Sequence, residues 1–148
     1  MTITGVAADV PYTALPPAEP SPDAPLVVSW HLMDPPRTDA AMAAALPMQA
    51  LPAWRVYFGL PMFGRRALPG GAAEFFELAA ADAVLNVFEP VLSQAAAEAV
   101  GAIEAVRAEL GIAAGPLGVL GGSAGALVAA EVTATAGLPV AALALVSP

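Results

Sequence analysis

The stretch Pro116-Leu117-Gly118-Val119-Leu120-Gly121-Gly122-Ser123-Ala124-Gly125-Ala126-Leu127-Val128-Ala129-Ala130-Glu131-Val132 decides how this chain folds. Its first five residues are an apolar run of strand length, and its last seven read as the start of a helix. Between them stands Gly121-Gly122-Ser123-Ala124-Gly125, a G-x-S-x-G. Placed between a strand and a helix, that pattern is a nucleophile elbow. The reversal is so sharp that the serine takes a strained backbone conformation, and only small neighbours avoid a clash. Gly121 and Gly125, two residues to either side of Ser123, meet that demand.

Working outward, the remaining segments alternate. Leu26-Val27-Val28-Ser29-Trp30 is a β-prone run ending at His31, and Asp34-Pro35-Pro36-Arg37 then forces a turn. Thr38 can cap a helix from about Asp39 to Leu46. Trp54 to Leu60 is the next strand, followed by a Gly/Pro-rich bend from Pro61 to Gly71 that holds Arg65 and Arg66. A helix is expected over Glu74 to Asn86. A long one runs from Pro90 to Leu110, ended by Gly111. The elbow strand and its helix to about Ala136 come next, and Pro139 to Val146 is a last strand. This order predicts right-handed crossovers and an α/β fold, a mostly parallel sheet with helices on both faces. The Leu117 strand is expected at its centre, between the Leu26 and Val140 strands. Residues 1–23, with Pro11, Pro16, Pro17, Pro20 and Pro22, read as an extended Pro-rich N-terminal segment with one short strand near Thr2 to Val6.

Composition narrows the function. The chain has 148 residues, enough for one domain, with 58% hydrophobic and 12% charged residues and a formal net charge of −8. It has no lysine, and five arginines carry all the positive charge, which argues against nucleic acid as a partner because phosphate binding needs clustered cations. Without cysteine there are no disulfides, thiolate nucleophiles or zinc-thiolate sites, and neither a metal nor a cofactor is expected. Leu110 to Ala130 carries no charge and is long enough to span a bilayer. Its seven Gly and Pro residues from Gly111 to Gly125 and its lack of basic flanks argue instead for buried parallel strands. The N-terminus lacks the basic and apolar regions of a signal peptide, so a cytoplasmic location away from membranes is expected.

The chain resembles the N-terminal half of an α/β-hydrolase of the serine esterase or peptidase type. Gly121-Gly122-Ser123-Ala124-Gly125 matches the elbow. Val27-Val28-Ser29-Trp30-His31 matches the strand whose following loop supplies an oxyanion donor. The long helix before the elbow strand and the strand ending Val146-Ser147-Pro148 match the family's order. The resemblance covers residues 24–148, read as the N-terminal part of such a domain, truncated before its later segments. Leu32 stands where the family often has glycine. The family also places its acid and its histidine after the serine, whereas the one histidine here, His31, precedes it.

The resemblance implies a serine hydrolase acting on an ester, thioester or peptide-like acyl substrate. Ser123 would be the nucleophile and the Ala124 amide one oxyanion donor. The amide of Leu32 or Met33 would be the second, in a loop that begins at His31, and no cofactor would be needed. The isolated chain is expected to be nearly inactive because the acid and the base are absent from it. Two other readings stand beside this one. A half-sheet with an exposed edge fits an assembly module completed by another chain or by self-association. A Gly-rich strand-to-helix turn also occurs in nucleotide-binding α/β domains, although G-x-G-x-x-G and the Walker lysine are missing. Asp34, Asp39, Glu74, Asp82 and Glu89 are candidate acids, and Phe75 and Phe76 could line an acyl pocket. Arg65 and Arg66 read as either a solvated bend or a site for an acidic substrate.

Overall fold

A computed structural model describes residues 1–148. Six strands form one sheet: β1 (Ile3–Ala7), β2 (Val10–Leu15), β3 (Leu26–Trp30), β4 (Trp54–Phe58), β5 (Leu117–Gly122) and β6 (Val140–Val146). Their order is β1-β2-β4-β3-β5-β6. Strands β4, β3, β5 and β6 are parallel, and β5 lies between β3 and β6 as expected. It is one strand from the edge rather than at the sheet's centre, because β1 and β2 extend the sheet beyond β4. The helices are α1 (Asp39–Ala45), α2 (Gly71–Ala83), α3 (Glu89–Leu110) and α4 (Ala124–Thr135). No helix is long and apolar enough to cross a membrane.

The core lies mainly on one face of the sheet. Val28, Trp30, Val56, Phe58 and Val119 project there against α3 and α4. The buried stripe of α3 is Val91, Ala95, Ala99, Ala102 and Val106, at spacings of three and four residues. Alanine dominates it, so the helix backbone can approach the sheet closely. The opposite face holds a smaller cluster in which Met42 and Ala43 of α1 meet Tyr57 and Leu120.

Two segments differ from the sequence-based expectation. The short strand expected near Thr2 to Val6 is present as the edge strand β1, but the rest of residues 1–23 is not simply extended: Val10–Leu15 forms a second strand that completes a hairpin and pairs antiparallel with β4. The two connecting residues, Ala8 and Asp9, both have positive φ (47° and 65°), the left-handed geometry of a tight hairpin turn. Tyr12 anchors the hairpin: its ring is fully buried and its hydroxyl donates to Glu109 of α3 at 2.8 Å. Burial, with Glu109 adding to it, pushes the phenol up to about 12. The helix expected to Asn86 breaks earlier. Asp82 is extended at φ −166° and ψ 101°, and its carboxylate accepts from the Leu85 amide, starting a π-helical turn over Val84–Phe88.

Arg65 is exposed, as a solvated bend implies, and Arg66 is half-buried, but both guanidinium groups are already bonded within the chain. Arg66 makes a two-pronged pair with Glu98 at 2.5 and 2.9 Å. Arg65 bonds Asp39 at 2.8 Å and the carbonyl oxygens of Gly5 and Tyr12. Asp39 is buried and also accepts from the Thr13 hydroxyl at 2.7 Å. That carboxylate therefore ties the N-terminal hairpin to α1 and to the bend after β4. Asp39→Asn is expected to cost about 1–3 kcal/mol of stability through weakened charged hydrogen bonds, read as a lower urea midpoint at unchanged slope.

Candidate active site at the end of strand β5

The strand-to-helix turn at Ser123 has a strained backbone between two closely packed glycines. Ser123 is the single residue between β5 and α4, at φ 49° and ψ −116°, a region that side chains other than glycine avoid. Its amide donates to the Val146 carbonyl of β6 at 2.8 Å, and its carbonyl accepts from Ala126 at 2.9 Å. The backbone is thus pinned on both sides, which over-determines a conformation that typically costs about 1–3 kcal/mol.

Packing explains the two flanking glycines. A Cβ on Gly121 would run into the Gly125 carbonyl, and one on Gly125 would run into the carbonyl oxygens of Trp30 and His31. The first turn of α4 therefore lies directly on the end of β3. These glycines permit helix–strand contact; they do not line an open cradle for a phosphate. A Cβ on Gly122 would strike the Leu32 side chain, so the segment after β3 sits against the elbow itself.

The donors near Ser123 can be sorted by their existing bonds. Ala124 is the first residue of α4, where helical geometry gives an amide no partner within the helix. The Leu32 amide is committed to the Pro36 carbonyl at 3.1 Å, which leaves Met33 as the amide of that loop to consider. Met33 also lines a cavity of about 300 Å³ with Asp34, Arg37, Phe63, Phe75 and Phe76. Arg37 and Phe63 were not singled out by sequence reasoning, since nothing in their spacing marks them.

His31 is fixed by its surroundings. It is 1% exposed, with Nε2 accepting from the Leu60 amide at 3.0 Å. Nδ1 must then carry the proton, which it donates to the Leu32 carbonyl at 2.7 Å. The Phe63 ring meets it edge-on at 5.8 Å. Both nitrogens are used, so the ring holds the end of β3 to the segment after β4. Among the candidate acids, Asp39, Glu74 and Asp82 are likewise engaged in local bonds.

Burial lowers the His31 pKa below its usual 6.5, with the Leu32 carbonyl and Asp39 opposing the shift. An unfolded chain takes up the proton near pH 6.5, while the folded chain resists it until lower pH. Stability contributed by neutral His31 is therefore intact above about pH 6.5 and declines as pH falls toward the folded value. Urea midpoints measured from pH 7.5 downward should show this decline, and His31→Gln should flatten it.

A parallel sheet with an antiparallel hairpin at one edge, helices on both faces and a strained serine after an interior parallel strand fit the α/β-hydrolase fold. Comparison with solved structures agrees. TT1662 from Thermus thermophilus superposes with a TM-score of 0.67 at 23% identity, over 97% of this chain and 55% of its own. A cold-adapted esterase from an Arctic intertidal metagenomic library gives 0.63 at 19% identity, over 97% and 58%. Epoxide hydrolase A from Mycobacterium thermoresistibile gives 0.57 at 16% identity, over 98% and 38%. The chain thus spans between 38% and 58% of the length of these structures. No family model and no curated protein matches the sequence.

Proposed function

We propose that the protein is a serine hydrolase that accepts an acyl substrate (ester, thioester or peptide-like) at Ser123. The observation that carries this reading is the Ser123 backbone, held at φ 49° and ψ −116° by packing that tolerates no side chain at Gly121 or Gly125. Strain of this kind is retained where an exposed nucleophile is useful.

In this reading Ser123 Oγ attacks the acyl carbon and loses its proton to a base. The carbonyl oxygen becomes an oxyanion held by the amides of Ala124 and Met33, each worth roughly 3–4 kcal/mol. The leaving group departs with a proton, and water then cleaves the acyl-serine to give the acid and free Ser123. His31 is committed on both nitrogens, so the base is another group. Loss of the base costs of order 10⁶ in rate, and the 148 residues alone are expected to turn over very slowly.

The test is prolonged incubation with a fluorophosphonate, with and without imidazole as an external base, followed by peptide mapping. One adduct, on Ser123 and missing from Ser123→Ala, is expected. Labelling of other residues only, or none under either condition, would overturn the proposal.

A second reading rests on β6. It pairs on one side only, and Leu143, Leu145 and Val146 are each 40–48% exposed along an uncharged edge. Such an edge invites another strand, so an assembly role fits it. Sedimentation should then show association that Leu145→Lys suppresses.

A further inference from the structure

The cavity beside Met33 bears on what the acyl group is. One part of its wall is aromatic: Phe63 and Phe75 meet edge-to-face at 5.3 Å, and Phe75 and Phe76 at 5.8 Å. Four of the five arginines are already bonded: Arg55 to the carbonyls of Pro47 and Met48, Arg65 to Asp39, Arg66 to Glu98, and Arg107 to the carbonyls of Ala113 and Gly115. Arg37 is different. It is exposed, lines this cavity and makes no hydrogen bond or ion pair, although Asp34 shares the same wall. The cavity also opens at the right end of the sheet. Trp30 pairs with Phe58 on one side and Gly121 on the other, so the loops after β3 and β4 leave on the same edge as Ser123.

We infer that this cavity receives an acyl group with an apolar body about the size of a phenyl ring and a carboxylate at its far end, bound by Arg37. The inference rests on the hydrolase reading, which puts the reacting carbonyl near the amide of Met33, one of the residues that line the cavity. Phe63, Phe75 and Phe76 would then cover the apolar body. Guanidinium matches carboxylate with two parallel hydrogen bonds, which a neutral group of the same shape cannot form. The net charge of −8 repels anions at a distance, but salt screens this beyond about 8 Å. Selection therefore depends on contact with Arg37.

The test measures binding without turnover, on the 148-residue chain carrying Ser123→Ala. 4-Phenylbutanoate and its neutral counterpart 4-phenylbutanamide are titrated while the Phe and Arg signals are followed by NMR. The acid is expected to bind about tenfold more tightly than the amide, with shifts at Phe75 and Arg37. Arg37→Gln should abolish the preference and keep amide binding, while Phe76→Ala should weaken both probes equally. Equal binding of the two probes, no binding of either, or a preference that survives Arg37→Gln would each overturn the inference. Failure of Ser123 to acylate is a separate result and leaves this measurement unchanged.

Discussion

Ser123→Gly is expected to raise stability by about 1 kcal/mol or more while removing all fluorophosphonate labelling. The two effects share one cause. At φ 49° and ψ −116° a serine pays for its Cβ, and glycine adopts the same backbone without that cost. Glycine's greater freedom in the unfolded chain offsets part of the relief, by roughly 0.5–1 kcal/mol. No hydrogen bond is lost, because the bonds that pin this residue to Val146 and Ala126 are made by its backbone alone. Ser123→Ala separates the components, losing the hydroxyl but keeping the strain, so its urea midpoint should stay near that of the parent. If Ser123→Gly were destabilising, the strain argument would fail even though the fold is right.

Gly125→Ala, like Gly121→Ala, should have one of the largest structural effects of any single methyl group added to this chain, because at both positions the Cβ would meet backbone atoms. At Gly125 the new Cβ meets two carbonyl oxygens, those of Trp30 and His31, and both belong to backbone at the end of a buried central strand. Neither can move without separating β3 from its neighbours. A loss of about 3 kcal/mol or more is expected, at or above the upper end for overpacking, read as a lost or sharply lowered unfolding transition. Gly101→Ala is the matching control. Its Cβ would find only the Ala8 methyl at 3.8 Å, and it lies in the middle of α3. There the same substitution should stabilise by roughly 0.5–1 kcal/mol, because glycine is a poor helix former. Opposite signs from one chemical change would show that the elbow glycine is demanded by packing.

The parallel part of the fold is legible in the sequence because each of its elements is local. The apolar runs at Leu26, Trp54, Leu117 and Val140 are separated by segments with helical spacing, and alternation of this kind leaves little choice of topology. The sharp strand-to-helix turn at Ser123 is legible for a similar reason, since its glycines and serine lie within five consecutive residues. In the N-terminal hairpin the first strand is legible near Thr2 to Val6, but the turn and the second strand are hidden. Its turn is Ala8-Asp9 rather than a recognisable Asn-Gly, and Pro11 lies within β2. What makes that segment a strand is pairing with β4 and the docking of Tyr12 on α3, both distant in sequence.

The same division runs through the site. The position of Ser123 and the need for Gly121 and Gly125 come from the sequence, because backbone sterics at a tight turn act over a few residues. Which amides and side chains are free was decided only by the tertiary structure. Pro36 occupies the Leu32 amide, the Leu60 amide and the Leu32 carbonyl hold His31 neutral, and Asp39 and Glu98 take up Arg65 and Arg66. Arg37 is left without a partner. Whether a polar group is free depends on what the folded chain brings within 3 Å of it, and most of those partners lie on other elements of the fold.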